Sequence, residues 1–146
     1  MSDDPVVPDP PPESPAAAYT AIKNRLTSLG GSFVGDPPDA APLPYSFVWG
    51  PPLILGDPTV GGMTVVDRRV HVTVVHSTAN NVLRMASEVE GLLAGWSPSV
   101  VGWRFHALQV VGSESVRTPH SIIETNTNRS PAWVVLHVRV RGQKSG

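Results

Sequence analysis

The chain has 146 residues, a net charge of −1, 16% charged and 40% apolar residues, and no cysteine. That length suits one compact domain, and the missing cysteine excludes disulfides, thiolate catalysis and cysteine-ligated metal. No apolar run approaches the ~20 residues of a membrane-spanning helix. Residues 1–5 lack the basic and apolar regions of a secretion signal, so the expectation is a protein made and used in the cytoplasm, or in a particle assembled there. Charge is unevenly spread. Residues 1–63 hold Lys23 and Arg25 against seven acids, and residues 64–146 hold nine bases against five acids. An acidic front and a basic back suit self-association, or stacking on a charged partner.

Thirteen of the sixteen prolines precede residue 60. Residues 1–14 hold five of them, with four acids and no base. Such a segment buries too little apolar surface to offset its ordering entropy, and Pro10, Pro11 and Pro12 favour a polyproline conformation. The reading is an extended arm over residues 1–14. A helix follows, with Ser14 as its cap, Pro15 in its first turn, and Tyr19, Ile22, Leu26 and Leu29 on one face. Gly30 and Gly31 stop it. After a proline-rich connector, Tyr45 to Trp49 reads as a short strand. Residues 50–62 read as a loop with an apolar tip at Leu53, Ile54 and Leu55.

The run from Met63 to His76 is a long strand, with Val70, Val72 and Val74 on one face and Arg69, His71 and Thr73 on the other. It passes directly into a second helix between Ser77 and Trp96. There Val82, Met85, Ala86, Val89, Leu92, Leu93 and Trp96 form one apolar stripe, and Ser77 is the expected cap. Arg104 to Val111 alternates as a third strand. Residues 112–131 show no sustained period. The last strand, Ala132 to Arg141, puts Val134, Leu136, Val138 and Val140 on one face. The order helix, strand, strand, helix, strand, strand predicts an α+β fold. It would be a mostly antiparallel four-stranded sheet with two α-helices on one face, long loops and a proline-rich arm. Residues 15–141 would form the single domain and 142–146 a short tail.

No constellation for covalent chemistry emerges. The pairs His76-Ser77 and His120-Ser121 are sequence neighbours, which is not how a catalytic triad is built. There is no nucleophile elbow and no phosphate-cradling glycine pattern. Glu88 and Glu90 point in different directions on a helix. His71, His106 and His137 sit on strands without the supporting carboxylates of a metal site. The expectation is therefore no enzyme, no metal and no cofactor. The strand bases are more informative. Arg69 and His71 share one face, as do Arg104 and His106, and as do Trp133, His137, Arg139 and Arg141. Aligned in a sheet, they would make a basic stripe opposite the valine core. With pI ≈ 6.5 and neither stacking aromatics nor a recognition helix evident, a dedicated nucleic-acid binder is not indicated. A subunit interface or ring lumen is the functional reading, and a solvated sheet face the plain one.

Over residues 15–141 this order of elements resembles the tail terminator proteins of long-tailed bacteriophages, also called tail completion or minor tail proteins. The likeness lies in the leading amphipathic helix, the proline-flanked strand Tyr45 to Trp49, and the long strand that enters the main helix at His76 and Ser77. It continues in the irregular segment and the final valine-rich strand. The family has no catalytic motif to match, and the proline-rich arm does not map onto the resemblance.

The resemblance implies a homo-oligomeric ring, usually a hexamer, that caps the tail tube, ends its polymerisation and faces the head connector or stopper protein. DNA would pass through its lumen without sequence-specific binding, and the location would be the tail–neck junction of the virion. In that setting Arg69, His71, Arg104, His106, Trp133, His137, Arg139 and Arg141 become candidates for the subunit or lumen interface. Leu53, Ile54, Leu55, Ile122 and Ile123 become candidates for contact with the tube protein or connector. The alternatives are another neck or head–tail joining protein of similar fold, or a soluble ligand-binding domain with its pocket under the Leu53–Leu55 loop.

Overall fold

The computed structural model describes residues 14–53, 65–118 and 131–145. The first helix, α1, spans Ala17–Arg25, and a 3-10 turn follows at Thr27–Leu29. Ser14 is not its cap. It stands in a lead-in turn, where its hydroxyl accepts from the Ala16 N–H at 3.2 Å and its carbonyl from the Ala17 N–H at 2.9 Å. Ala18, Ile22 and Leu26 are fully buried and Tyr19 nearly so, which is the expected face except that Leu29 is only partly buried. The chain leaves the turn at Gly30 with φ +133°, where a side chain would run into the Pro44 carbonyl oxygen at 2.6 Å.

Seven strands form one sheet among the described residues: β1 (Gly31–Val34), β2 (Tyr45–Trp49), β3 (Val65–His76), β4 (Ser99–Val100), β5 (Trp103–Phe105), β6 (Gln109–Ser113) and β7 (Ala132–Lys144). Their order is β1-β2-β3-β7-β5-β4, with β6 also on β7. The four-stranded antiparallel sheet expected from the sequence is therefore corrected in three ways. First, β1 pairs with β2 in parallel. With only four residues, two of them Gly31 and Ser32, it carries too little alternation to be read as a strand. Second, the two-residue β4 forms the far edge. Third, the run Arg104 to Val111 divides. Both β5 and β6 lie along the same side of β7, but the strand is interrupted over residues 106–108, although the His106 N–H still donates to the Arg141 carbonyl at 2.9 Å. Leu108 turns in to the core and exchanges backbone hydrogen bonds with the end of the second helix, Gly95 N–H to Leu108 O at 3.0 Å and Leu108 N–H to Trp96 O at 2.9 Å.

That helix, α2, spans Ala79–Leu93. Its cap is Thr78, one residue beyond the expected Ser77. The Thr78 hydroxyl accepts from the Asn81 N–H at 3.1 Å, while Ser77 accepts from the Asn81 side-chain amide. Gly95, with φ +84°, supplies the left-handed residue that ends the helix. Arg25 ties the two helices together. Its Nε donates to the Leu92 carbonyl at 3.0 Å, and its guanidinium lies 5.3 Å from the centre of the Trp96 ring.

Both helices lie on one face of the sheet, α1 against β1, β2 and β4, and α2 against β3, β7 and β6. Between helices and sheet sits the core, with Ile22, Val70, Val72, Val74, Val82, Val89, Leu93 and Val138 all fully buried. The two valine strands meet in register, Val70 opposite Val138, Val72 opposite Leu136 and Val74 opposite Val134. Here β7 runs past Arg141. Gly142 is buried opposite Phe105, and an added methyl group there would come within 2.5 Å of the Phe105 ring.

Candidate functional site

Because side chains alternate along a strand, covering one face of β2, β3 and β7 with helices leaves the odd-numbered residues on the other. No helix among the described residues covers that outer face. Arg69, His71, Trp133, His137, Arg139 and Arg141 all lie on it, as their register requires: Arg69 faces Arg139, His71 faces His137 and Val75 faces Trp133. Arg104 joins them opposite Gln143, its neighbours Trp103 and Phe105 being buried on the core side. His106 stands just past the end of β5, exposed, and its N–H still donates to the carbonyl of Arg141 at 2.9 Å.

The face is divided along the strands. At one end lie Arg69, Arg104, Arg139 and Arg141. One carboxylate reaches in. Asp67 accepts two bonds from Arg139, Nε to Oδ1 at 3.1 Å and NH2 to Oδ2 at 2.8 Å. That hydrogen-bonded pairing holds the Asp67 carboxyl below its ordinary range and raises the Arg139 guanidinium. None of the salt bridges among the described residues involves Arg69, Arg104 or Arg141.

At the middle stand the two histidines, Nδ1 to Nδ1 at 2.9 Å. The Trp49 ring lies on His71 with centroids 4.3 Å apart, and its indole N–H donates to the Thr73 hydroxyl at 2.8 Å. Burial, and then the neighbouring His137, push the His71 pKa down. Glu114 is 3.7 Å from His137 Nε2. Two histidines and one distant carboxylate do not amount to a metal site, and no cluster of three metal-binding side chains occurs among the described residues.

The other end is aromatic. Tyr45, Phe47 and Trp49 succeed one another along β2, and with Val75, Trp133 and Val135 they line a groove of about 380 Å³. Tyr45 and Phe47 stack with centroids 6.4 Å apart, and Trp49 is 40% exposed. Alternation along β7 alone puts Trp133 beside the bases but not the aromatic row of β2. The signal was the period-two spacing of residues 45, 47 and 49, but only the pairing of β2 with β3 puts that row on the arginine face.

The loop residues fare differently. Leu53 is 4% exposed and packed in the core. It therefore cannot present its side chain to a tube or connector as expected. The chain is drawn inward there, since the Tyr19 hydroxyl donates to the Pro51 carbonyl at 2.6 Å and Gly50 passes against Tyr19 and Val70. Ile54, Leu55, Ile122 and Ile123 lie outside the described residues, as does the arm over residues 1–13. Of the segment 112–131, the first part is structured. The Glu114 N–H donates to Val135, and Arg117 bridges Trp133 through two backbone bonds of 2.8 and 2.9 Å.

The sequence matches no protein-family model and no curated protein. In three dimensions the chain is similar to one chain of a solved structure described as the virion of a native gene transfer agent particle. The two are 16% identical with a TM-score of 0.59, and the match covers 88% of this chain and 92% of that one. At that identity the likeness is one of fold.

Proposed function

We propose that this chain is a structural virion protein of a phage-like particle. In this reading it closes into a ring, most simply a hexamer, that caps the tail tube, ends its polymerisation and offers a second surface to the head connector. The observation that carries the reading is the end-to-end fold likeness to a chain of a gene transfer agent virion, which covers nearly all of both chains. The outer sheet face supports it, since partly exposed aromatics beside arginines that join none of the salt bridges among the described residues are the composition of an interface. The mechanism is geometric. Identical subunits joined by head-to-tail contacts form a closed ring when the rotation closes, and a closed ring has one face shaped to the tube and one that adds no further tube. DNA would pass through the lumen. No reaction and no cofactor is assigned.

The test is the mass of the purified protein, alone and mixed with tail tubes, by light scattering, together with electron microscopy of tube lengths. The expected result is a closed multimer of the 15.5-kDa chain, seated on tube ends and halting growth. A chain that stays monomeric in both conditions would remove the reading. A neck or head–tail joining protein of this fold is the alternative, and it would bind connector in place of tube.

A further inference from the structure

We infer that the aromatic groove on the outer sheet face receives the proline-rich acidic segment, residues 1–13, of another copy of this chain. The groove supplies one half of the argument. Tyr45, Phe47 and Trp49 form a row of rings about 13 Å long on one strand, with Trp133 across the sheet, and the arginine end of the same face lies beyond. Aromatic-lined grooves take proline-rich chains because the polyproline helix is already extended and loses little entropy on binding.

The segment supplies the other half. A polyproline helix repeats every three residues. In that register Pro5, Pro8 and Pro11 fall on one edge, Asp3 and Asp9 on a second, and Asp4 and Glu13 on the third. One edge is thus all proline across about 19 Å, and each flanking edge carries two carboxylates and no base. The face it meets carries Arg69, Arg104 and Arg141 outside any of the salt bridges found among the described residues. The match is therefore double, ring to proline and guanidinium to carboxylate.

Origin on another copy follows from where the segment leaves its own chain. Ser14 leads into α1, on the helix-bearing side of the sheet. The groove is on the opposite side. Pro10, Pro11 and Pro12 stand immediately before that junction and resist the reversal that a return around the β1 edge would require. The inference needs self-association but not a closed ring.

The experiment uses the full chain with Val7 replaced by the photo-crosslinking residue p-benzoylphenylalanine, prepared in light and heavy isotope forms and mixed before irradiation. The expected result is mixed-isotope crosslinks joining residue 7 to the peptides of β2 and β7. Neutralising Asp3, Asp4, Asp9 and Glu13 to Asn and Gln should reduce them several-fold while leaving every core residue in place. Crosslinks only within one chain, crosslinks to other peptides, or none would each overturn the inference. Light scattering on the same sample separates this from the ring. A multimer without these crosslinks refutes the arm and keeps the ring, whereas crosslinked dimers or open chains keep the arm and refute the ring.

Discussion

His71 and His137 meet across β3 and β7 with their Nδ1 atoms 2.9 Å apart, so one ring donates the single hydrogen between them and the other accepts it. Two doubly protonated rings would point N–H at N–H, and the contact would have to open. His71 is covered by Trp49 on one side and faces Glu114 and Arg69 as well as His137. Its folded pKa lies below its unfolded value, because burial and the neighbouring ring disfavour the cation. The unfolded chain then binds the proton first. The stability that neutral His71 confers is complete above the unfolded value of about 6.5 and is lost as pH falls through the folded one. Melting temperature measured from pH 8 to 5 should decline over that window in the wild type and less in His71→Phe. Equal slopes would show that the pair does not couple protonation to folding.

Asp67 gives a second, separate pH effect. Arg139 depresses its folded pKa, so its contribution is present above the ordinary carboxylate range and disappears as pH falls through the folded value. Asp67→Asn should be less stable than wild type at neutral pH, with the gap closing in acid and shrinking in high salt, because the pair is half exposed. Urea titrations at several pH and salt values would read it.

Neighbouring leucines near the end of α2 should behave differently. Leu93 is fully buried and Leu92 only partly so. Leu93→Ala should cost about 2–5 kcal/mol. Leu92→Ala should cost clearly less, since its backbone carbonyl, not its side chain, is what Arg25 engages. Chemical denaturation of the two variants compares them directly, and equal losses would contradict the burial difference.

Gly142 sets how close β5 comes to β7. A methyl group there would overlap the Phe105 ring, so Gly142→Ala should destabilise by about 1–3 kcal/mol. Pairing it with Phe105→Leu should cost less than the sum of the two single changes, because the second makes room for the first. A strictly additive double-mutant cycle would place the strain elsewhere.

Trp133 tests the outer face as an interface. It is half-buried, outside the helix-covered core, and beside the aromatic row. Trp133→Ala should lower the assembled fraction in sedimentation experiments far more than it lowers the melting temperature of the subunit. A large thermal loss with assembly unchanged would make the residue a structural support of its own chain.

The two helices, the long valine strands and the residues that share a face in β3 and β7 were legible from periodicity, because each element is long enough for its burial pattern to repeat. The short elements were not. The four residues of β1 and the two of β4 become strands only through their neighbours, and the third strand is interrupted where Leu108 exchanges backbone bonds with Gly95 and Trp96, just past α2. Leu53 looked like an exposed tip because nothing local distinguishes an apolar residue that leaves the chain's surface from one that turns beneath it.

The candidate face shows the same division. Alternation along a single strand is enough to set Arg69, His71, His137 and Arg139 opposite a valine core, since it needs no partner. That His71 touches His137, that Asp67 reaches Arg139, and that Tyr45, Phe47 and Trp49 stand on the same face follows from how the strands are assembled. Those relations depend on register and on the order of strands. Register is set by burying every valine stripe under the helices at once, a condition that no single segment of the chain contains.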